Sequence, residues 1–159
     1  MNQLSGTLTG RIGRWAVPAI PYGWTWVPNF GIQRSGQNII PSNVYLREDE
    51  LLAGNQLALY VQAQITLMKQ TFQDAAIAGP APTQFSGAEE SAMLMLKHQQ
   101  MNQVSVLQVQ HYMRIGNWIG IVTLTTIEAE LLKVRPDFDQ FLKLLQIAPT
   151  EQPPLHSGT

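Results

Sequence analysis

The strongest pattern of apolar positions in the chain is helical. Leu57, Val61, Ile65, Met68 and Phe72 recur at steps of three and four, which places them on one side of an α-helix and predicts that this side packs on a sheet. Asn55 stands before the run as a candidate N-cap, after a connector over residues 48–54. Tyr60, Gln64 and Met68 form a second line on the same helix, at the border of its apolar side. Gln64 is therefore expected where core meets surface.

Further along, the period changes to two. Strands are predicted over residues 89–98, 103–114 and 117–126, the last two joined at Ile115 and Gly116 by a link short enough for an antiparallel hairpin. Val106, Gln108, Gln110 and Tyr112 point to one face, and Leu107, Val109, His111 and Met113 to the other. Trp118, Gly120, Val122 and Leu124 likewise oppose Ile119, Ile121, Thr123 and Thr125, so both faces have reason to be covered. Upstream, residues 14–32 are dense in Trp, Pro and Gly, which predicts short strands near 14–17 and 25–27. A further stretch over 39–47 carries Pro41 near its start, leaving 43–47 as the strand proper.

Residues 79–87, with Pro80, Pro82 and Ser86, are expected to form a loop. Pro136 near a helix start, Asp137 and Asp139 in the first turn, and Phe138, Phe141, Leu142 and Leu145 on one side predict a short C-terminal helix, with Lys143 toward its end. Beyond Ile147, residues 148–159 have no periodicity and three prolines, and are expected to add nothing to the core. These elements describe one α+β domain over residues 1–147: a twisted antiparallel β-sheet with one long helix and a short C-terminal helix packed on it.

Composition shifts this picture toward binding. Charged residues make up 13% of the 159-residue chain, well under the roughly 25% of an ordinary domain. Glutamine replaces them, at 17 Gln and 7 Asn. An amide offers donor and acceptor without a charge, so a face lined by amides is buried against another polypeptide at lower desolvation cost than a charged one. The net charge of −1, with Lys and Arg scattered, argues against nucleic acid as partner. No run reaches the roughly 18 apolar residues of a membrane span and no secretory signal is visible, so a cytoplasmic protein not itself inserted in a membrane is expected.

The side chains that usually carry chemistry are poorly placed for it. The chain has no cysteine, and His98, His111 and His156 fall at no metal-ligand spacing, so neither metal nor other cofactor is expected. His111 reads as a structural histidine among apolar neighbours. Glu89 and Glu90 are adjacent and, on a strand, face opposite ways, which does not suit an acid–base pair. Gly10 and Gly13 lack the Lys-Ser/Thr that completes a phosphate loop. A binding protein rather than an enzyme is expected, with Met68, Met93, Met95, Met101 and Met113 as adaptable apolar contacts or core fillers.

Several stretches, in this order, resemble one family. They are Pro21-Tyr-Gly-Trp24, Pro41-Ser-Asn-Val-Tyr-Leu-Arg47, Gly54-Asn-Gln-Leu-Ala-Leu-Tyr-Val61, Gln64, Gly87-Ala88, Val109-Gln110 and Val122-Thr-Leu-Thr-Thr126 followed by Phe138, spread over residues 10–147. The family is the Eag-type chaperones of bacterial type VI secretion. The resemblance implies a PsbP/Mog-like fold and a homodimer whose concave surface shields the N-terminal transmembrane helices of an effector, near its prePAAR motif, until export. It places polar contacts to those helices at Gln64 and Gln110, with Ser42 as a further candidate, and apolar contacts at Ile32, Val44, Met68 and Val106. The alternatives open at this level are an immunity protein that binds an effector's toxin domain and a lipid or small-ligand module.

Overall fold

In a computed structural model, residues 8–36, 40–52, 54–99 and 103–149 are described. The elements are β1 (Gly10–Ile12), β2 (Trp15–Val17), β3 (Trp24–Val27), β4 (Gly31–Arg34), β5 (Asn43–Glu50), α1 (Leu57–Thr71), β6 (Ala76–Pro82), β7 (Glu90–Gln99), β8 (Ser105–Ile115), β9 (Trp118–Ile127), α2 (Leu131–Leu144) and β10 (Gln146–Ile147). Seven of the strands make an antiparallel sheet in the order β3-β4-β5-β9-β8-β7-β6, and β1, β2 and β10 make a small second sheet. The architecture is the expected α+β one.

Alternation along the long strands decides what each face does. Trp24, Ile32, Val44, Leu46, Val109, Met113, Val122 and Leu124 pack with Trp15 and Val17 of the small sheet and with Val134, Phe138, Phe141 and Leu145 from α2 and its end. On the opposite face Leu94, Tyr112, Ile119 and Ile121 pack under Leu57, Val61 and Ile65 of α1. The two faces of β8 and β9 are those the two-residue period predicts.

Several boundaries differ from the sequence expectation, each for a local reason. α1 starts from Gln56 rather than Asn55 and has no side-chain cap; instead the Glu90 carboxylate accepts from the Leu57 N–H at 3.4 Å. β5 runs on to Glu50, pairing with β9 through the register Glu50↔Trp118, where a connector was expected. Residues 76–82, read in part as loop, form β6: as an edge strand it tolerates Pro80 and Pro82, whose missing N–H groups would break a central ladder. α2 begins five residues before Pro136, behind a 3₁₀ turn at Glu128–Glu130, and at 14 residues is nearly as long as α1. The hairpin turn falls at Gly116 and Asn117, one residue later than expected.

The small sheet was not anticipated beyond β2. Its strands are tied to the residues after β10: Ala148 is 3% exposed and its N–H donates to the Arg14 carbonyl at 2.8 Å, while Arg14 Nε donates to the Ala148 carbonyl. The first residue after 147 thus belongs to the core, contrary to expectation, and residues 150–159 lie outside the described ones. No helix among the described residues is long and apolar enough to cross a membrane.

Candidate functional site

α1 covers only part of its face of the sheet. Its N-terminus meets Glu90 at the start of β7, and Phe72, just past its end, stacks on His98 of the same strand at 4.0 Å. The helix therefore lies along β7 and β8. Tyr60 leans off one flank, its hydroxyl donating to Asp49 of β5 while its ring packs on Tyr112. That flank, which carries Tyr60, Gln64 and Met68 one turn apart, looks toward β9 and β5.

Beyond the flank, none of the described residues covers the sheet. Two rungs cross it: Gln33, Asn43, Thr125 and Gln108 in one, and Tyr45, Thr123 and Gln110 in the next. Tyr45 is 37% exposed and stacks on Phe30, with ring centroids 4.8 Å apart; Gln33 is exposed, and Asn43, Gln108, Thr123 and Thr125 are half-buried. The result is a ledge with a floor of hydroxyls, amides and aromatic rings and a helical wall of Tyr60, Gln64 and Met68. None of these groups carries a charge at neutral pH. The nearest charged side chains on this face, Arg47 and Asp49, stand at one end of it.

Hydrogen bonds tie part of the ledge together. The Tyr112 hydroxyl donates to Gln110 Oε1, Gln110 Nε2 donates to Gln108 Oε1 at 2.8 Å, and the same nitrogen lies 3.5 Å from Met68 Sδ. Burial pushes the Tyr112 phenol up to about 12 and, together with the Asp49 hydrogen bond, raises Tyr60 further still, so both remain hydroxyl donors at neutral pH.

The seven residues singled out from sequence do not share one surface. Gln64 and Met68 stand half-buried on the flank of α1, and Gln110, 8% exposed, lies beneath them. Val106 is on the same face but sealed, 1% exposed and paired with His98 under the end of α1. Ile32, Val44 and Ser42 point to the other face. Ile32 and Val44 pair with each other in the core under α2, and the Ser42 hydroxyl shares a 2.7 Å hydrogen bond with Thr126. As folded here, these four hold the sheet from inside and offer a partner nothing. Sequence reasoning passed over Gln108, Thr123, Thr125, Asn43 and Tyr45 as ledge residues. The alternation showed their face, but only the position of α1 shows that the face is open.

Two other features bear on chemistry. Glu89 and Glu90 converge on one guanidinium: Arg114 Nε donates to Glu90 at 2.7 Å and a terminal nitrogen to Glu89 at 3.0 Å. That bond holds the Glu90 carboxyl below its ordinary value. Between β6 and the first turns of α1, Leu57, Val61, Pro80, Pro82 and Ala92 line an open cavity of about 430 Å³. No group of three or more metal-ligating side chains occurs among the described residues.

No family model matches the chain, and no curated protein sequence matches it. Solved structures do, and they define its class: this is a PsbP-like α+β fold. LpqN of Mycobacterium tuberculosis, described as involved in cell envelope biogenesis, is similar at a TM-score of 0.68 and 14% identity, covering 89% of this chain and 88% of that one. Protein PA94 of Pseudomonas aeruginosa, of unknown function, reaches 0.63 at 17% identity with the same coverage. The cyanobacterial PsbP of Synechocystis reaches 0.59 at 13% identity, covering 92% of this chain and 98% of that one. At these identities the likeness is one of fold.

Proposed function

We propose that the ledge beside α1 is a binding surface for an apolar helix of a protein partner. The chain would then act, in the manner of the Eag-type chaperones it resembles in sequence, as a holdase for the N-terminal transmembrane segments of a type VI secretion effector. The observation that carries this reading is a sheet face that none of the described residues covers, floored by the uncharged Thr123, Thr125, Asn43 and Tyr45, walled by Gln64 and Met68, and charged at the end where Arg47 and Asp49 stand. A partner's charged side chain over that floor would lose its hydration, with counter-ions only at the Arg47 and Asp49 end. A membrane-type helix loses nothing by leaving water, and its small-residue stripe can accept or donate to amides and hydroxyls as it would to another helix in a bilayer. Binding of this kind needs no ATP and no cofactor. The PsbP-like fold and the ordered motifs from Pro21 to Phe138 support the same reading, and a homodimer with two such ledges follows from the resemblance.

The test uses a type VI effector with apolar N-terminal segments, expressed as two separate fragments. The holdase reading predicts that the apolar N-terminal fragment co-purifies with this chain and that the toxin domain does not. Capture of the toxin domain alone would instead make the chain an immunity protein and overturn the proposal.

A further inference from the structure

The ledge has a built-in direction of hydrogen bonding, and this points to a selectivity residue that lies one step beyond Gln110. We infer that Gln108, through its side-chain Nε2, is the amide with which the ledge reads its partner, and that it acts only as a donor. The inference rests on the reading of the ledge as a helix-binding face.

The direction follows from two groups that leave no choice. Tyr112 is 1% exposed, and among the described residues the acceptor for its hydroxyl proton is Gln110 Oε1. Met68 Sδ, 3.5 Å from Gln110 Nε2, has lone pairs and no proton, so it accepts. Turning the Gln110 amide over would set its carbonyl oxygen against the sulfur and leave the buried phenol proton without an acceptor, at the full cost of an unmade hydrogen bond. The amide is therefore locked with its nitrogen toward Gln108, whose Oε1 accepts at 2.8 Å. With its oxygen used, Gln108 presents its NH2 to the ledge, where no described residue accepts from it. Each bond in the chain polarises the next, which strengthens that terminal donor.

Gln64 behaves differently. No hydrogen bond from another described residue holds its amide, so it can turn to offer either end to whatever lies along the helix flank. Gln64 adapts and Gln108 selects: a helix that brings a hydroxyl or a bared carbonyl oxygen over the rung of Gln108, Thr125 and Asn43 satisfies the donor, and one that brings an aliphatic side chain buries it unpaired.

The probes are two synthetic 20-residue Leu/Ala helices with lysines at both ends, one carrying Ser and the other Ala at the central small position. Wild-type protein should bind the Ser peptide about tenfold more tightly, the worth of one well-made hydrogen bond. Gln108→Leu should abolish the preference, because no donor is then left unpaired under the Ala peptide. Tyr112→Phe should reduce the preference, because the Gln110 amide is then free to turn. In the protein without peptide, side-chain amide NMR should show the Gln110 NH2 protons exchanging slowly and those of Gln108 fast, and the Ser peptide should move the Gln108 pair. If both peptides bind equally well, the ledge reading stands and the role of Gln108 fails. If neither binds, the ledge reading fails first. If the Gln108 protons are the protected pair, the direction of the chain is overturned whatever the partner.

Discussion

At the scale of single residues, the side chains that matter most here are uncharged groups whose bonding is decided by burial. Tyr112 illustrates it. Tyr112→Phe leaves Gln110 Oε1 without its donor in a place water does not reach, and is expected to cost about 1–3 kcal/mol in urea unfolding. His111 gives a second test. Its ring packs on Phe138 with centroids 5.7 Å apart; burial first, and the nearby Arg135 charge second, pull its pKa down to about 4, while Asp139 opposes them. The unfolded chain holds its histidine near 6.5. Above that value both states are neutral and the residue contributes fully; as the pH falls from 6.5 toward 4 the unfolded state binds a proton that the folded state refuses, and stability declines. The loss should level off below 4, at no more than about 3 kcal/mol, and His111→Gln should flatten that part of the pH–stability profile. The alternation of β8 put Gln110 and Tyr112 on one face and His111 on the other, so their placement was legible in the sequence. Their bonding was not, because it depends on Met68 arriving from 42 positions away in the chain.

Element by element, the departures from expectation come from context that no local window contains. Pro136 reads as a helix start because its fixed φ and missing N–H suit a first turn. It lies instead in the sixth position of α2, which Val134, Phe138 and Phe141 hold against the sheet strongly enough to outweigh the lost backbone bond. Pro136, exposed itself, can be relieved: Pro136→Ala should stabilise the protein by about 1–2 kcal/mol, read as a higher urea midpoint. The small sheet depends on a different constraint. Gly13 turns the chain between β1 and β2 at φ +55°, and a Cβ there would sit 1.6 Å from Glu48 Oε1, the carboxylate that accepts from the Arg14 N–H and the Trp118 indole. Gly13→Ala should therefore displace Glu48, cost at least about 1 kcal/mol and shift Trp fluorescence. The run from Gly10 to Gly13 was noticed in the sequence only as an incomplete phosphate loop; its structural meaning needed Glu48 of β5 in place.

For the whole molecule, the sequence carried the class of fold and the two helices, because long strands and an amphipathic helix each leave a period. It did not carry the order of strands, and therefore not which residues share an open surface. Ile32, Ser42 and Val44 look available in the chain and are walled in by α2 once β5 pairs between β4 and β9; a Val106→Asp change, which would place a charge in a helix-binding cleft if that side chain were exposed, is expected to unfold the protein instead. What the assembled sheet leaves open is the ledge. Covering about 400 Å² of apolar helix at about 25 cal/mol per Å² would supply roughly 10 kcal/mol before the roughly 4–15 kcal/mol cost of immobilising the partner. One ledge would therefore hold a helix weakly, and two in a dimer would hold neighbouring segments far better by effective concentration.

The most direct measurement is a titration of a lysine-flanked, 20-residue Leu/Ala/Gly helix into the wild-type protein and into Thr123→Lys, which puts a charge in the centre of the ledge floor without entering the core. Saturable binding by the wild type, weakened at least about tenfold in the variant with an unchanged melting temperature, is the expected result. Equal binding by the two proteins would place the helix somewhere other than the ledge and contradict the account.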